Sequence, residues 1–289
     1  MADTSGLRAR NRDFWKHAAP GWIRHADRQD ELGRPLGAAA IEHLRSVPGE
    51  NLLDVGCGTG GTTAELAALV APAGQVVGID LAASMVEAAR ARFAAVANAR
   101  FEECDIETVE QVPGAPFDAA YSRMALMLLA DPAAGCAIIR RALRPGGRLA
   151  ATVFRDGAAN PWLSAVLLGA APHLGPLPPL PLGDDPGPFA FADPARPRHV
   201  LTAAGFAGVG IAAVDVTLAA PDDPDTVAEW LIEIGPAGVA YRAADPDAQA
   251  KARHGAGYLL ERFRTPGIGY RLPTGLWLLT ATAPSAAPP

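Results

Sequence analysis

The sequence predicts an α/β fold, a doubly wound and mainly parallel sheet of seven strands. Three observations carry that prediction. Short apolar runs alternate with helical segments along the chain, which implies parallel strands covered by helices on both faces. A glycine-rich turn follows the first apolar run, where open sheets of this kind meet a ligand. The 289 residues, 49% of them hydrophobic, suffice for one large core, or one domain plus a lid, without disulfides or metals.

Strands are expected at 51–55, 75–80, 99–103, 117–122, 146–154, 207–217 and 275–282. Helices are expected at 62–70, 82–97, 133–144 and 196–204. The first strand, Leu52-Leu53-Asp54-Val55, runs into Gly56-Cys57-Gly58-Thr59-Gly60-Gly61. Glycine lacks a Cβ, so the backbone can turn sharply there and pass close to a ligand. Ala64, Leu66, Ala67 and Leu69 lie along the helix that follows. Strand, turn and helix make a nucleotide-type cradle. Two cofactors compete for it. Gly56, Gly58 and Gly61 fit the G-x-G-x-x-G of dinucleotide enzymes, a weak match alone. Asp54 argues against it, because a carboxylate repels the pyrophosphate that a helix N-terminus attracts. The sulfonium and ammonium of S-adenosylmethionine would welcome that same charge.

The second strand, Gln75 to Leu81, ends at Asp80, an acid that can accept two hydrogen bonds from a ribose. It would suit a nicotinamide cofactor equally well. Ser84 is placed to cap the next helix, and Met85 to pack on an adenine or in the core. Arg144-Pro145-Gly146-Gly147 closes a helix and turns into the fifth strand. Gly205 ends the helix at 196–204, and Gly-Leu-Trp-Leu-Leu-Thr-Ala-Thr at 275–282 supplies the seventh strand.

Five segments in this order resemble the class I S-adenosylmethionine-dependent methyltransferases, in the ubiquinone/menaquinone-biosynthesis-like small-molecule group. They are LLDVGCGTG (52–60), VVGIDLAASMV (76–86), FEECDIE (101–107), FDAAYSRMALMLLADP (117–132) and LRPGGRLAATVF (143–154). The resemblance implies a Rossmann-like methyltransferase fold whose seventh strand inserts antiparallel between the fifth and sixth. It implies that Asp54, Gly56, Cys57, Gly58, Thr59 and Gly60 hold the methionine part of the cofactor. Asp80 would hold the ribose, Asp105 and Ile106 would flank the adenine, Ser122 would face the sulfonium and the substrate, and Leu81 and Met85 are further candidates for cofactor binding. S-adenosyl-L-homocysteine would be the product.

The core is expected at 46–219 and 273–284, with a proline-rich insertion at 156–195. Residues 1–45 would form an N-terminal helical cap and 220–272 a helical lid. In the family such extras cover the open end of the sheet. The prolines between Pro172 and Pro188 read as a rigid lid or surface loop, with a polyproline ligand as the rival reading. Asp222-Asp223 and Asp225 read as a solvated helix start.

A charge of −6, from 25 basic and 31 acidic residues, gives no support to a nucleic-acid partner. Cys57, Cys104 and Cys136 are scattered without metal-ligand spacing, so no metal is expected and a cytoplasmic home is. The polar start shows no leader, and the apolar stretch Trp162–Ala171 is too short to span a bilayer. The Ala, Gly and Pro content has the look of a bacterial genome rich in G and C. A homodimer is one assembly open to the chain.

Methyl transfer from a sulfonium is an in-line displacement that alignment and desolvation can largely drive. A base helps a hydroxyl acceptor, and no catalytic triad is visible. Tyr121-Ser122-Arg123-Met124-Ala125 lacks the Asn/Asp-Pro-Pro-aromatic segment of amino-methylating enzymes. No cysteine follows a proline, which argues against cytosine C5 chemistry, and paired cysteines for arsenic are missing. A small organic acceptor, methylated on O, N or C without a metal, remains. Candidate catalytic residues are His17, His25 and Arg123, the last of which could instead brace the lid. Candidate pocket residues are Trp22, Arg123, Met127, Trp162 and Trp230. Two alternatives stay open: a relative that binds S-adenosylmethionine without methyl transfer, as a cyclase or binding protein, and a nicotinamide oxidoreductase.

Overall fold

A computed structural model describes residues 4–177, 181 and 183–285. Helices α1 (Thr4–Arg24), α2 (Ala26–Leu32) and α3 (Pro35–Leu44) precede the sheet. Then follow β1 (Asn51–Val55), α4 (Gly61–Val70), β2 (Gln75–Asp80), α5 (Ala83–Arg92), β3 (Ala99–Glu103), β4 (Phe117–Arg123), α6 (Pro132–Ala142) and β5 (Leu143–Phe154). The rest is α7 (Pro161–Ala170), α8 (Ala195–Ala203), β6 (Ala207–Ala220), α9 (Pro224–Glu233), α10 (Gly238–Ala243), α11 (Pro246–Leu260), β7 (Arg264–Thr265) and β8 (Gly269–Thr282).

The strand order is β3-β2-β1-β4-β5-β8-β6, with the two-residue β7 pairing to β8. β1 to β5 are parallel. β8 runs antiparallel to both β5 and β6, as the resemblance implies. The chain reverses direction across the sheet between β1 and β4, and ligands of open α/β sheets bind outside the strands' carboxyl ends at such a point.

Strand alternation sends side chains to two cores. Leu53, Val55, Ala120 and Leu149 point to one face. Leu52, Val76, Tyr121 and Ala150 point to the other, where Leu66 and Val70 of α4 and Ala40 and Leu44 of α3 cover them. The apolar stretch from Trp162 is α7. It crosses α11 where Gly169 and Gly255 face each other backbone to backbone, so a Cβ on either would collide with the other's carbonyl oxygen.

Some boundaries differ from the expectation. α5 stops at Arg92 rather than residue 97, because Phe93 leaves helical geometry (φ −116°, ψ 27°) and its ring packs 6.2 Å from Phe101. α6 ends at Ala142, and β5 takes up the chain from Leu143. β6 continues to Ala220 and β8 starts at Gly269, pairing as far as Ala220 with Tyr270. Pro273 lies in the added stretch, ahead of the expected start at Gly275. That stretch lies beyond Phe154, the last β5 residue paired to β8, so β8 is flanked there by β6 alone and a proline is tolerated. The range 220–272, expected to be helical, holds α9, α10, α11 and a short 3-10 turn, and also β7 and the first residues of β8. Of the proline-rich insertion, Pro178, Pro179, Leu180 and Leu182 lie outside the described residues.

Candidate active site

Acids stand at the carboxyl ends of adjacent strands: Asp54 on β1, Asp80 on β2, and Asp105 just after β3. Asp54 is 1% exposed. Its Oδ2 accepts the Thr63 hydroxyl at 2.7 Å, from the first turn of α4. Burial pushes its carboxyl up to about 6, against the pull of the Thr63 hydroxyl and the Arg123 charge. Asp80 receives the Gly58 N–H on Oδ2 and the Ala82 N–H on Oδ1, each at 2.9 Å. Burial raises it too, and those N–H groups hold it down. Each oxygen keeps a lone pair for a further donor.

Gly56, Gly58 and Gly60 all have positive φ (76°, 53° and 90°), a region that favours glycine. At Gly60 a Cβ would sit 2.8 Å from the Phe101 ring and 2.9 Å from the Ala89 methyl, whereas one on Gly58 would meet nothing within 4 Å. The loop is thus packed behind and open in front. Cys57 is buried, and burial raises its thiol well above the ordinary range, so it fills space and is no nucleophile.

The N-terminal helices lie across this edge. Arg12 Nη2 donates to Asp105 Oδ2 at 2.8 Å, and Asn11 Nδ2 to the Leu128 carbonyl at 2.8 Å. Trp15, Ala19, Trp22 and Ile23 pack over Ala82 and Met85, with the Trp15 and Trp22 rings 5.9 Å apart, edge to face. Met85 is therefore buried beneath α1. Arg92 binds Asp30 at 2.6 Å and Asp27 at 2.7 Å through Nη2, and the Thr59 carbonyl at 2.7 Å through Nη1. This clamp seats α2 on the glycine loop. It places the Asp30 carboxylate so close to Gly61, the first residue of α4, that a Cβ there would overlap it. Asp30 thus lies against the start of α4 with its charge paired to Arg92, and no side chain caps that helix.

The remaining predicted residues divide. Ser122, expected to face the sulfonium, is fully buried and donates to the Val55 carbonyl at 2.9 Å. Arg123 braces the α2–α3 turn through the Gly33 carbonyl at 3.3 Å, in the N-terminal segment rather than in residues 220–272. Ile106 is buried, while Leu81 is partly exposed. Met127 is core, with its sulfur 3.4 Å from the Phe154 N–H. Trp162 is core as well: it donates to Thr274 Oγ1 at 3.0 Å and stands edge-on to Phe154. Trp230 is buried and donates to Gln29 Oε1 at 3.2 Å. His17 is exposed, and its Nδ1 lies 2.8 Å from the Asp13 carbonyl of its own helix. His25 is partly buried against α9, facing Glu233.

Sequence reasoning missed Arg12, Asp30, Arg92 and Glu233. Thr63, nine residues after Asp54 on the first helical turn, was the one hydroxyl whose spacing could have shown it. Glu107, in the FEECDIE segment, is buried and receives the Ala130 and Asp131 N–H groups at 3.2 and 2.5 Å, fixing the loop after β4. Among the described residues no group of His, Cys, Asp or Glu could hold a metal ion. No helix among them is long and apolar enough to cross a membrane.

A doubly wound sheet with a glycine loop and acids at successive strand ends is the setting of a nucleoside-cofactor site. Comparison with known proteins agrees. The family described as "Methyltransferase domain" matches residues 46–170. Nocamycin O-methyltransferase of Saccharothrix syringae is 30% identical over 236 residues, covering 76% of this chain and 81% of its own. Trans-aconitate 2-methyltransferase of Deinococcus radiodurans is 35% identical over 64% of this chain and 67% of its own. Other curated relatives match over less, 39%, 46% and 42% of their lengths. The solved structure of a putative methyltransferase from Bacillus halodurans superposes with a TM-score of 0.54 at 16% identity, over 86% of this chain and 98% of its own; it supports the fold alone. The chain belongs to the S-adenosylmethionine-dependent methyltransferases.

The residues present fit that cofactor. Asp54 and the open backbone at Gly58 would hold its amino-acid end, Asp80 its ribose, and Asp105 with Ile106 its adenine. When bound, S-adenosylmethionine supplies a methyl group activated by a sulfonium.

Proposed function

We propose that the enzyme methylates an oxygen of a small organic acceptor held between residues 1–45, acting as a cap, and residues 220–272, acting as a lid. One observation carries this reading. Asn11, Trp15, Ala18, Trp22, His25 and Gln29 recur at steps of four and three, a single helical stripe. Its ends are tied to Leu128 beyond β4 and to Trp230 on α9. The stripe presents two indoles over Ala82 and Met85, just after β2, and an imidazole toward Glu233 of α9. That suits an aromatic or partly apolar acceptor bearing an ionisable oxygen. Oxygen as the target agrees with the name of the nocamycin O-methyltransferase aligned above. The chain's part in catalysis is to orient the acceptor, exclude water under the cap and take up a proton.

A cytoplasmic site belongs to the same reading. The three cysteines are free and buried, and burial raises all their thiols, Cys104 to about 11 and Cys136 to about 12. A homodimer would form through Leu168 and Tyr258, exposed on the α7–α11 pair, and light scattering decides it. The test of function is incubation with methyl-labelled S-adenosylmethionine and a panel of phenols and hydroxy acids. Label in an alkali-labile ester or a stable aryl ether supports O-methylation. Label on nitrogen or carbon alone refutes it.

A further inference from the structure

Glu233, on α9, is a carboxylate with a fully buried side chain. Arg24 Nη1 donates to its Oε1 at 2.6 Å. Its Oε2 has no hydrogen-bond partner, and neither does the buried Nε2 of His25. These two atoms face each other at 3.7 Å. A shift of about 0.8 Å would make a hydrogen bond of them, and such contacts commonly tighten when a ligand binds. A buried acid facing one imidazole nitrogen fixes the ring's tautomer and leaves the other nitrogen to act. His25 also stands on the inward stripe of the N-terminal helices, beside Trp22.

We infer that Glu233 is a positioning residue that holds His25 as proton acceptor for the methylated oxygen. This rests on the O-methyl reading above. As the acceptor oxygen bonds the methyl carbon, the carbon–sulfur bond breaks with its electron pair left on sulfur. The hydroxyl proton passes to His25 Nδ1. The positive charge thereby moves from sulfonium to imidazolium, next to the Glu233 carboxylate. The charged surroundings support this division of roles. Burial, Arg28 and Arg24 lower the His25 pKa against Glu229, so the ring is neutral and able to accept. Burial and Glu229 raise Glu233, opposed by Arg24 and by Arg242 of α10.

The test is long-range proton–nitrogen NMR of histidine-labelled full chain with S-adenosylhomocysteine, His25 being assigned by His25→Gln. The expected result is a neutral His25 at pH 7.5 with its hydrogen on Nε2, and a lower ring pKa in Glu233→Gln, by about one unit. A hydrogen on Nδ1, or a ring unmoved by Glu233→Gln, overturns the proposal. The second readout is methyl transfer to the phenol panel across pH. Glu233→Gln should lower kcat by about tenfold or more with little change in KM and displace the acid limb of the profile, and Glu233→Asp should restore part of the loss. A panel that the wild type does not methylate overturns the acceptor reading. A panel that it methylates, with a rate and pH limb that Glu233→Gln leaves unchanged, overturns the relay alone. Calorimetric binding of S-adenosylhomocysteine by each variant checks that it is folded.

Discussion

Replacing Asp54 by Asn should stabilise the ligand-free protein and cripple its cofactor site. The carboxyl is 1% exposed and its pKa is pushed to about 6 by burial. Against an ordinary carboxyl of 3.8, that is a shift of about two units, so holding the ionised form at pH 8 costs about 3 kcal/mol. The folded pKa lies above the unfolded one. The stability this group contributes is therefore present below about pH 4 and lost as pH rises through about 6. Asparagine keeps an oxygen for the Thr63 hydroxyl and carries no charge. Thermal unfolding of Asp54→Asn without ligand should show a melting temperature higher than wild type by about 6 °C at pH 8, with the gain fading toward pH 4. Calorimetry at pH 8 should show S-adenosylhomocysteine bound more weakly by about 1–3 kcal/mol. A variant less stable than wild type at pH 8, or one binding with wild-type affinity, would refute the reasoning.

Other perturbations test other joints. A Cβ on Gly37 of α3 would collide with the hydroxyl of Tyr121, which is fully buried and has no hydrogen-bond partner. Gly37→Ala should lower stability by about 1–3 kcal/mol, and adding Tyr121→Phe should return most of it in denaturant melts. Full additivity of the two changes would contradict that contact. Arg92→Ala removes the clamp on Asp30, Asp27 and the Thr59 carbonyl. It should speed limited proteolysis within residues 1–45 several-fold, and an unchanged cleavage rate would count against the cap being held there. Asp80→Ala should weaken S-adenosylhomocysteine by about 1–3 kcal/mol; an unaltered dissociation constant would show that Asp80 does not hold the ribose.

Local signals were legible and distant ones were not. β1 and β2 were readable to the residue because each is a mostly apolar run ending at or beside an acid, and β3, Ala99-Arg100-Phe101-Glu102-Glu103, followed from the alternation of strands with helices. The strand-end acids were readable because strand and turn are contiguous. The end of α5 was not: Phe93-Ala94-Ala95 favours helix locally, and the packing of Phe93 on Phe101 overrides it. The ribbon of β6 and β8 was underestimated because Pro273 signals a break unless its lone neighbour strand is known. The cap contacts join residues far apart, Arg12 with Asp105 across 93 positions and Arg24 with Glu233 across 209. No spacing rule reaches that far. Glu233 itself looked like an ordinary helical acid, and only its burial between α9 and the N-terminal helices distinguishes it.

The most direct measurement is paired calorimetry of the full chain with S-adenosylhomocysteine and with NADH. The expected result is one S-adenosylhomocysteine bound per chain, and no heat from NADH, because the buried Asp54 carboxylate beside the glycine loop disfavours a pyrophosphate. Binding of NADH in the absence of any S-adenosylhomocysteine signal would contradict the account.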